Sequence, residues 1–130
     1  MAHYVDTSAL VKLVIDEPET GALQRWFANS DRNPVASDLA RTELIRAVRR
    51  AAPDQVVRAR EVLDALTLLE VTTEVFESAG RLDPSILRTL DAIHLAVALD
   101  LGDDLEALVT YDDRLAHAAR AHGIPVLAPA

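Results

Sequence analysis

Apolar positions along the chain alternate between short β-branched or aromatic runs and longer segments at helical spacing. His3, Tyr4 and Val5 predict a first strand, Asp6 closes it, and Thr7 to Leu13 open a helix. Glu17 and Pro18 restart a helix carrying Leu23, Trp26 and Phe27. Pro34 to Ser37 predict a second strand, with Asp38 as the cap of a helix from Leu39 to about Ala51, whose apolar face is Leu44, Ala47, Val48 and Ala51. Pro53 opens a helix through Val56, Val57, Val62, Leu63 and Leu66, and Leu68 to Val71 predict a third strand. A short helix from Glu74 to Gly80 precedes Pro84. Ser85 to Gly102 then read as the strongest helix of the chain, with Ile86, Leu87, Leu90, Ile93, Val97 and Leu101 on one side and Arg88, Thr89 and Asp100 opposite. Glu106 to Thr110 predict a fourth strand ending on Tyr111, Asp112 and Asp113, followed by a helix from Arg114 to His122, a stop at Gly123 and a last strand over Ile124 to Leu127, where Pro125 suits a sheet edge.

This alternation predicts a three-layer α/β/α architecture with right-handed crossovers and a mainly parallel sheet. At 130 residues the expectation is a single domain, 1–130. Half the residues are hydrophobic, but charge breaks every apolar run short of a membrane span and no basic, apolar leader opens the chain, so a cytoplasmic, membrane-free protein is expected. Cysteine is absent, which leaves oxygen and imidazole as the only metal ligands. A net charge of -8 disfavours non-specific nucleic-acid binding over the whole surface while permitting a local basic patch. Arg outnumbers Lys twelve to one, which suits bidentate phosphate contacts and equally reflects composition.

The acids carry the candidate chemistry. Asp6 stands where a buried strand ends, and the carboxyl edge of an open parallel sheet is where ligands bind. It reads either as a helix N-cap or as the first ligand of a divalent metal. Asp112 repeats the arrangement after the fourth strand, with Asp113 as an alternative cap. Glu43, early in the third helix, reads as a solvated partner of Arg46 or as a group at the same edge as Asp6; Arg46, Arg49 and Arg50 make a basic shoulder there, or simply a solvated face. Asp91 falls at the margin of an apolar helix face, where a carboxylate costs several kcal/mol, on the order of charge-burial penalties, unless an Arg or a metal neutralises it. His94 reads as a hydrogen-bonded core histidine, and His117 and His122 lack the spacing of paired ligands. Carboxylates gathered at one edge raise one another's pKa, and a hard cation, Mg2+ or Mn2+, relieves that repulsion and could activate water for attack on a phosphodiester. Thr110 or Ser8 would orient that water, or satisfy nearby backbone groups.

The run Tyr4-Val5-Asp6-Thr7-Ser8-Ala9-Leu10, the Glu43 helix, Arg88-Thr89-Leu90-Asp91-Ala92-Ile93-His94-Leu95-Ala96 and Val109-Thr110-Tyr111-Asp112 together resemble the PIN-domain ribonucleases, specifically the VapC toxins of type II toxin-antitoxin pairs. The resemblance implies a five-stranded sheet in the order 3-2-1-4-5 and an acidic, metal-binding catalytic quartet at Asp6, Glu43, Asp91 and Asp112. It further implies Mg2+-dependent endonucleolytic RNA cleavage, homodimers, and inhibition by a cognate VapB antitoxin in a hetero-oligomer. Asp113 departs from the commonest form of the last motif, where a basic residue often follows. Two rival readings start from the same residues. Phosphatases of the haloacid dehalogenase type need a second Asp where Ser8 stands, and receiver domains need a late Lys, whereas the only Lys is Lys12. A PIN-like binding module without turnover is the other alternative.

Overall fold

The computed structural model describes residues 1–29 and 31–130. Its strands are β1 (Ala2–Val5), β2 (Pro34–Ser37), β3 (Thr67–Leu69), β4 (Leu105–Val109) and β5 (Val126–Leu127). All pair in parallel, where the alternation predicted a mainly parallel sheet, and in the order β3-β2-β1-β4-β5 that the resemblance implied. The helices are α1 (Thr7–Val14), α2 (Thr20–Ala28), α3 (Leu39–Ala51), α4 (Val56–Asp64), α5 (Thr73–Gly80), α6 (Thr89–Asp100) and α7 (Asp113–Ala121). β1 is buried throughout, the signature of a strand covered by helices on both faces. Alternate residues serve opposite layers: Tyr4, Val35 and Leu108 join the core with α5, α6 and α7, whereas Val5, Ala36 and Val109 join the core with α1 to α4. The connections leave β1 toward β2 and β3, then return to its other side for β4 and β5. The seam between β1 and β4 is therefore the point where strand order reverses, and its carboxyl edge opens a crevice.

Local chemistry explains the principal boundaries. The C-terminal end of α7 closes through Gly123 at φ 78°, with Gly123 N–H bonded to Arg120 O at 2.9 Å and Ile124 N–H to Ala119 O at 3.0 Å. That paired closure turns the chain into β5, so the predicted glycine stop is observed. Asp38, expected to cap α3, has helical dihedrals and bonds Arg41 instead; the hydroxyl of Ser37 takes the Leu39 N–H at 3.2 Å. The helix restarted by Glu17 and Pro18 begins at Thr20, whose hydroxyl accepts the Glu17 N–H.

The largest correction concerns α6, which starts at Thr89 rather than Ser85. Ile86 is 89% exposed and Leu90 48% exposed, so neither belongs to the buried face their spacing predicted. Residues Ala92 to Ala98 are all buried, because the middle of α6 packs on β4 between α5 and α7 while its two ends stay open to solvent. A segment enclosed in this way shows little amphipathic pattern, so periodicity locates its apolar content and not its faces.

Candidate active site

Strand pairing sets the first acid. Asp6 N–H donates to Val109 O across the β1–β4 seam at 3.1 Å, which brings Asp6 beside Thr110. Its extended backbone makes it the N-cap of α1, and Oδ1 accepts the Ser8 hydroxyl at 2.6 Å and the Ala9 N–H at 3.4 Å. Oδ2 accepts the Thr110 hydroxyl at 2.9 Å. Thr110 in turn accepts the Asp112 N–H, and Ser8 accepts the Tyr111 N–H, both at 3.0 Å. Two hydroxyls thus tie the ends of β1 and β4 to one carboxylate. Asp6 is only 5% exposed, and burial pushes its carboxyl pKa up against the opposing bonds from Ser8 and Thr110.

Asp112 resolves the choice the sequence left open. It caps α7, with Oδ1 accepting Arg114 N–H at 2.8 Å and Leu115 N–H at 3.3 Å, whereas Asp113 is the exposed first residue of that helix. Asp91 lies in the first turn of α6. It is partly buried, and among the described residues it accepts no hydrogen bond and forms no ion pair. The Arg salt bridge offered as its alternative partner is therefore not formed there. Burial raises its pKa most and the Asp112 charge next; His94 and Arg88 oppose that rise, and the Glu43 charge adds the smallest increment to it.

Glu43 reaches the edge from α3. It does not pair with Arg46: Oε1 accepts the Thr7 hydroxyl at 2.9 Å and meets His94 Nε2 at 2.6 Å. Behind it, His94 Nδ1 meets the buried Tyr4 hydroxyl at 2.7 Å. Burial acts to raise the Glu43 pKa, but the His94 bond and charge together with Thr7 outweigh it and hold the carboxyl below its ordinary value. His94 is 3% exposed and hydrogen-bonded at both nitrogens, so the core-histidine reading holds. Its partner was not legible, because Glu43 lies 51 positions away on the opposite helix layer.

All four acids therefore stand at or beside the carboxyl edge, where the N-termini of α1, α6 and α7 also point their positive dipole ends. Among the described residues, no three His, Asp or Glu side chains stand close enough to form a ready-made ion cage. The donor chemistry nonetheless fits a hard divalent cation. Both oxygens of Asp91, Oε2 of Glu43 and Oδ2 of Asp112 carry no hydrogen bond among the described residues, and the set is all oxygen. Beside Asp91, Arg88, Arg114 and His117 line a cavity of about 460 Å3 together with Ile86 and Leu87. Arg46, Arg49 and Arg50 share an exposed face of α3 and line a separate cavity of about 220 Å3.

The family model for the PIN domain matches residues 3–121. The chain belongs to the PIN-domain family. Within it, the VapC ribonucleases are near relatives. Ribonuclease VapC46 of Mycobacterium tuberculosis (strain ATCC 25618 / H37Rv) is 48% identical over 129 residues, covering 98% of both chains. Ribonuclease VapC47 of Mycobacterium tuberculosis (strain CDC 1551 / Oshkosh) is 44% identical over 130 residues, covering 97% of this chain and 96% of that protein. The crystal structure of Mycobacterium tuberculosis VapC20, described as a Sarcin-Ricin loop cleaving toxin, superposes with a TM-score of 0.79 over 98% of this chain and 100% of that one. At 20% identity it establishes likeness of fold. No helix of the described residues is long and apolar enough to cross a membrane.

In this PIN domain the fold brings Asp6, Glu43, Asp91 and Asp112, singled out in the sequence, to or beside one edge, and the hydroxyls of Ser8 and Thr110, also singled out there, bond Asp6. Sequence reasoning missed Thr7 and Tyr4. Thr7 had a signal, since it follows Asp6 at the open end of α1; Tyr4 had none beyond its place in a buried strand.

Proposed function

We propose that this chain is a divalent-metal-dependent endoribonuclease of the VapC toxin type, using Asp6, Glu43, Asp91 and Asp112. One observation carries the reading: Asp91 is a partly buried carboxylate with no hydrogen-bond donor or paired cation among the described residues, raised in pKa by burial and by the charges of Asp112 and Glu43. Such an arrangement costs stability and is relieved by a cation. Mg2+ is the fitting ion, with Mn2+ as a substitute, since both prefer oxygen ligands. When bound by the four acids, the ion supplies the positive charge that draws a phosphodiester to the edge and offsets charge building on its oxygens.

The remaining steps belong to the chain. Ser8 and Thr110 hold the Asp6 carboxylate in one orientation, and Thr7 and His94 hold Glu43. Arg88 and Arg114 offer donors to RNA phosphates in the cavity beside Asp91; Asp113 lines the same cavity, so the two guanidinium groups act as individual phosphate contacts and not as a basic patch. The near relatives carry the name ribonuclease, which supports RNA as the substrate. On the same reading the protein is cytoplasmic, forms homodimers and is neutralised by a VapB-type antitoxin in a hetero-oligomer.

The test is cleavage of RNA by the purified protein with and without Mg2+, beside Asp91→Asn and Asp6→Asn. Wild type should cleave only with the ion. Each variant should lose at least about 100-fold in rate, the scale of removing charge stabilisation at a reacting centre. Equal cleavage by all three proteins would remove the site.

A further inference from the structure

We propose that His94 is a positioning residue that aims the free oxygen of Glu43 into the acidic edge, with Tyr4 locking the imidazole from behind. The proposal rests on the metal-site reading above and extends it to residues outside the quartet. Glu43 sits on α3 in one helix layer, whereas His94 sits on α6 in the other, and Tyr4 on the central strand between them. The bonds Tyr4 Oη to His94 Nδ1 at 2.7 Å and His94 Nε2 to Glu43 Oε1 at 2.6 Å join all three elements.

The donor roles follow from the ends of this series. An ionised carboxylate only accepts, so Nε2 carries the proton toward Glu43 and Nδ1 accepts the Tyr4 hydroxyl. His94 and Thr7 both bond Oε1, from two different helices, so the carboxyl plane is held and Oε2 remains unbonded among the described residues. A glutamate on a helix would otherwise sample several rotamers. Its preorganisation is the kind of support that partners behind a ligand provide. The contact is not explained as core filling, because Glu43 is not itself a core side chain.

Two substitutions separate the nitrogens. His94→Gln keeps an N–H donor at roughly the reach of Nε2, whereas His94→Asn places its polar atoms near Nδ1, toward Tyr4, and cannot reach Glu43. With the full chain, Mn2+ binding is read by the loss of the free-ion electron paramagnetic resonance signal, and RNA cleavage is followed for kcat and KM separately. His94→Asn should bind Mn2+ about 10-fold to 100-fold more weakly, the usual effect of removing a ligand's supporting partner, and His94→Gln should recover most of that loss. In His94→Asn, kcat should fall while KM for RNA stays within about twofold, because RNA-facing groups are untouched. Equal Mn2+ affinity in the Asn and Gln variants would overturn the proposal. If His94→Asn does not fold, Tyr4→Phe serves: it leaves the ring in place but unlocked, several-fold weaker Mn2+ binding is expected, and unchanged binding overturns the proposal. A wild-type protein that binds no Mn2+ overturns the metal reading and this one together; a wild type that binds it while His94→Asn binds equally well overturns this one alone.

Discussion

Thr110→Val is the most direct probe of how the strand ends are tied together. Thr110 is 1% exposed, and its hydroxyl donates to Asp6 Oδ2 at 2.9 Å while accepting the Asp112 N–H at 3.0 Å. Valine fills nearly the same volume and can do neither. A hydrogen bond to a charged group contributes about 1.5–3 kcal/mol, and an N–H left without a partner adds about 1–3 kcal/mol when fully buried. Asp112 is only partly buried and its amide can recruit water, so the combined loss should be about 2–3 kcal/mol. For a chain of 130 residues that corresponds to a fall in melting temperature of roughly 6–12 °C. Thermal melts followed by circular dichroism with chelator at neutral pH give the number. Thr110→Ser keeps both bonds and loses one buried methyl group, so it should cost only about 1 kcal/mol. Because Ser8 holds the other oxygen of Asp6, Ser8→Ala and Thr110→Val should depart from additivity by more than about 0.5 kcal/mol. A Thr110→Val protein melting within 2 °C of wild type, on the order of surface-substitution effects, would show that the hydroxyl does not tie the two strands.

The pH dependence of the metal-free protein follows from the pKa directions. Asp6 and Asp91 are raised, so their charged forms destabilise the fold at neutral pH, and that penalty is relieved as pH falls through their folded values toward the ordinary aspartate value of 3.8. Glu43 is lowered, so its contribution is present above the ordinary value of 4.5 and is lost as pH falls through its folded value. Asp91→Asn should therefore gain on wild type near pH 7 and lose that advantage near pH 4, as read by melts in chelator; a constant difference across that range would contradict the raised Asp91 pKa. The corrected start of α6 predicts that Ile86→Ser changes stability by no more than about 0.5 kcal/mol, whereas Leu95→Ala, at a fully buried position, costs about 2–5 kcal/mol in urea unfolding. Equal losses at the two positions would restore the longer helix that spacing alone suggested.

The succession of strands and helices and the acids at strand ends were legible in the chain, because each depends on neighbours within a few residues. The parallel sheet followed from their alternation, because a helix between two strands carries the chain back to the same end. Val5 followed by Asp6, and Val109 followed soon by Asp112, mark where burial stops and polar chemistry begins. Gly123 announced the end of α7 because a positive φ is a local demand. What the sequence left undecided depends on distant partners. Whether Asp112 or Asp113 caps α7 turns on how Thr110 seats the Asp112 amide. Whether Glu43 pairs with Arg46 or with His94 turns on α3 and α6, in opposite layers, meeting at one edge. The start of α6 was misjudged for the same reason: Ile86 and Leu90 have the spacing of a buried face, but only the position of α5 and α7 determines which side of a helix is covered. Hydrophobic pattern specifies what can be buried; the packed layers decide what is.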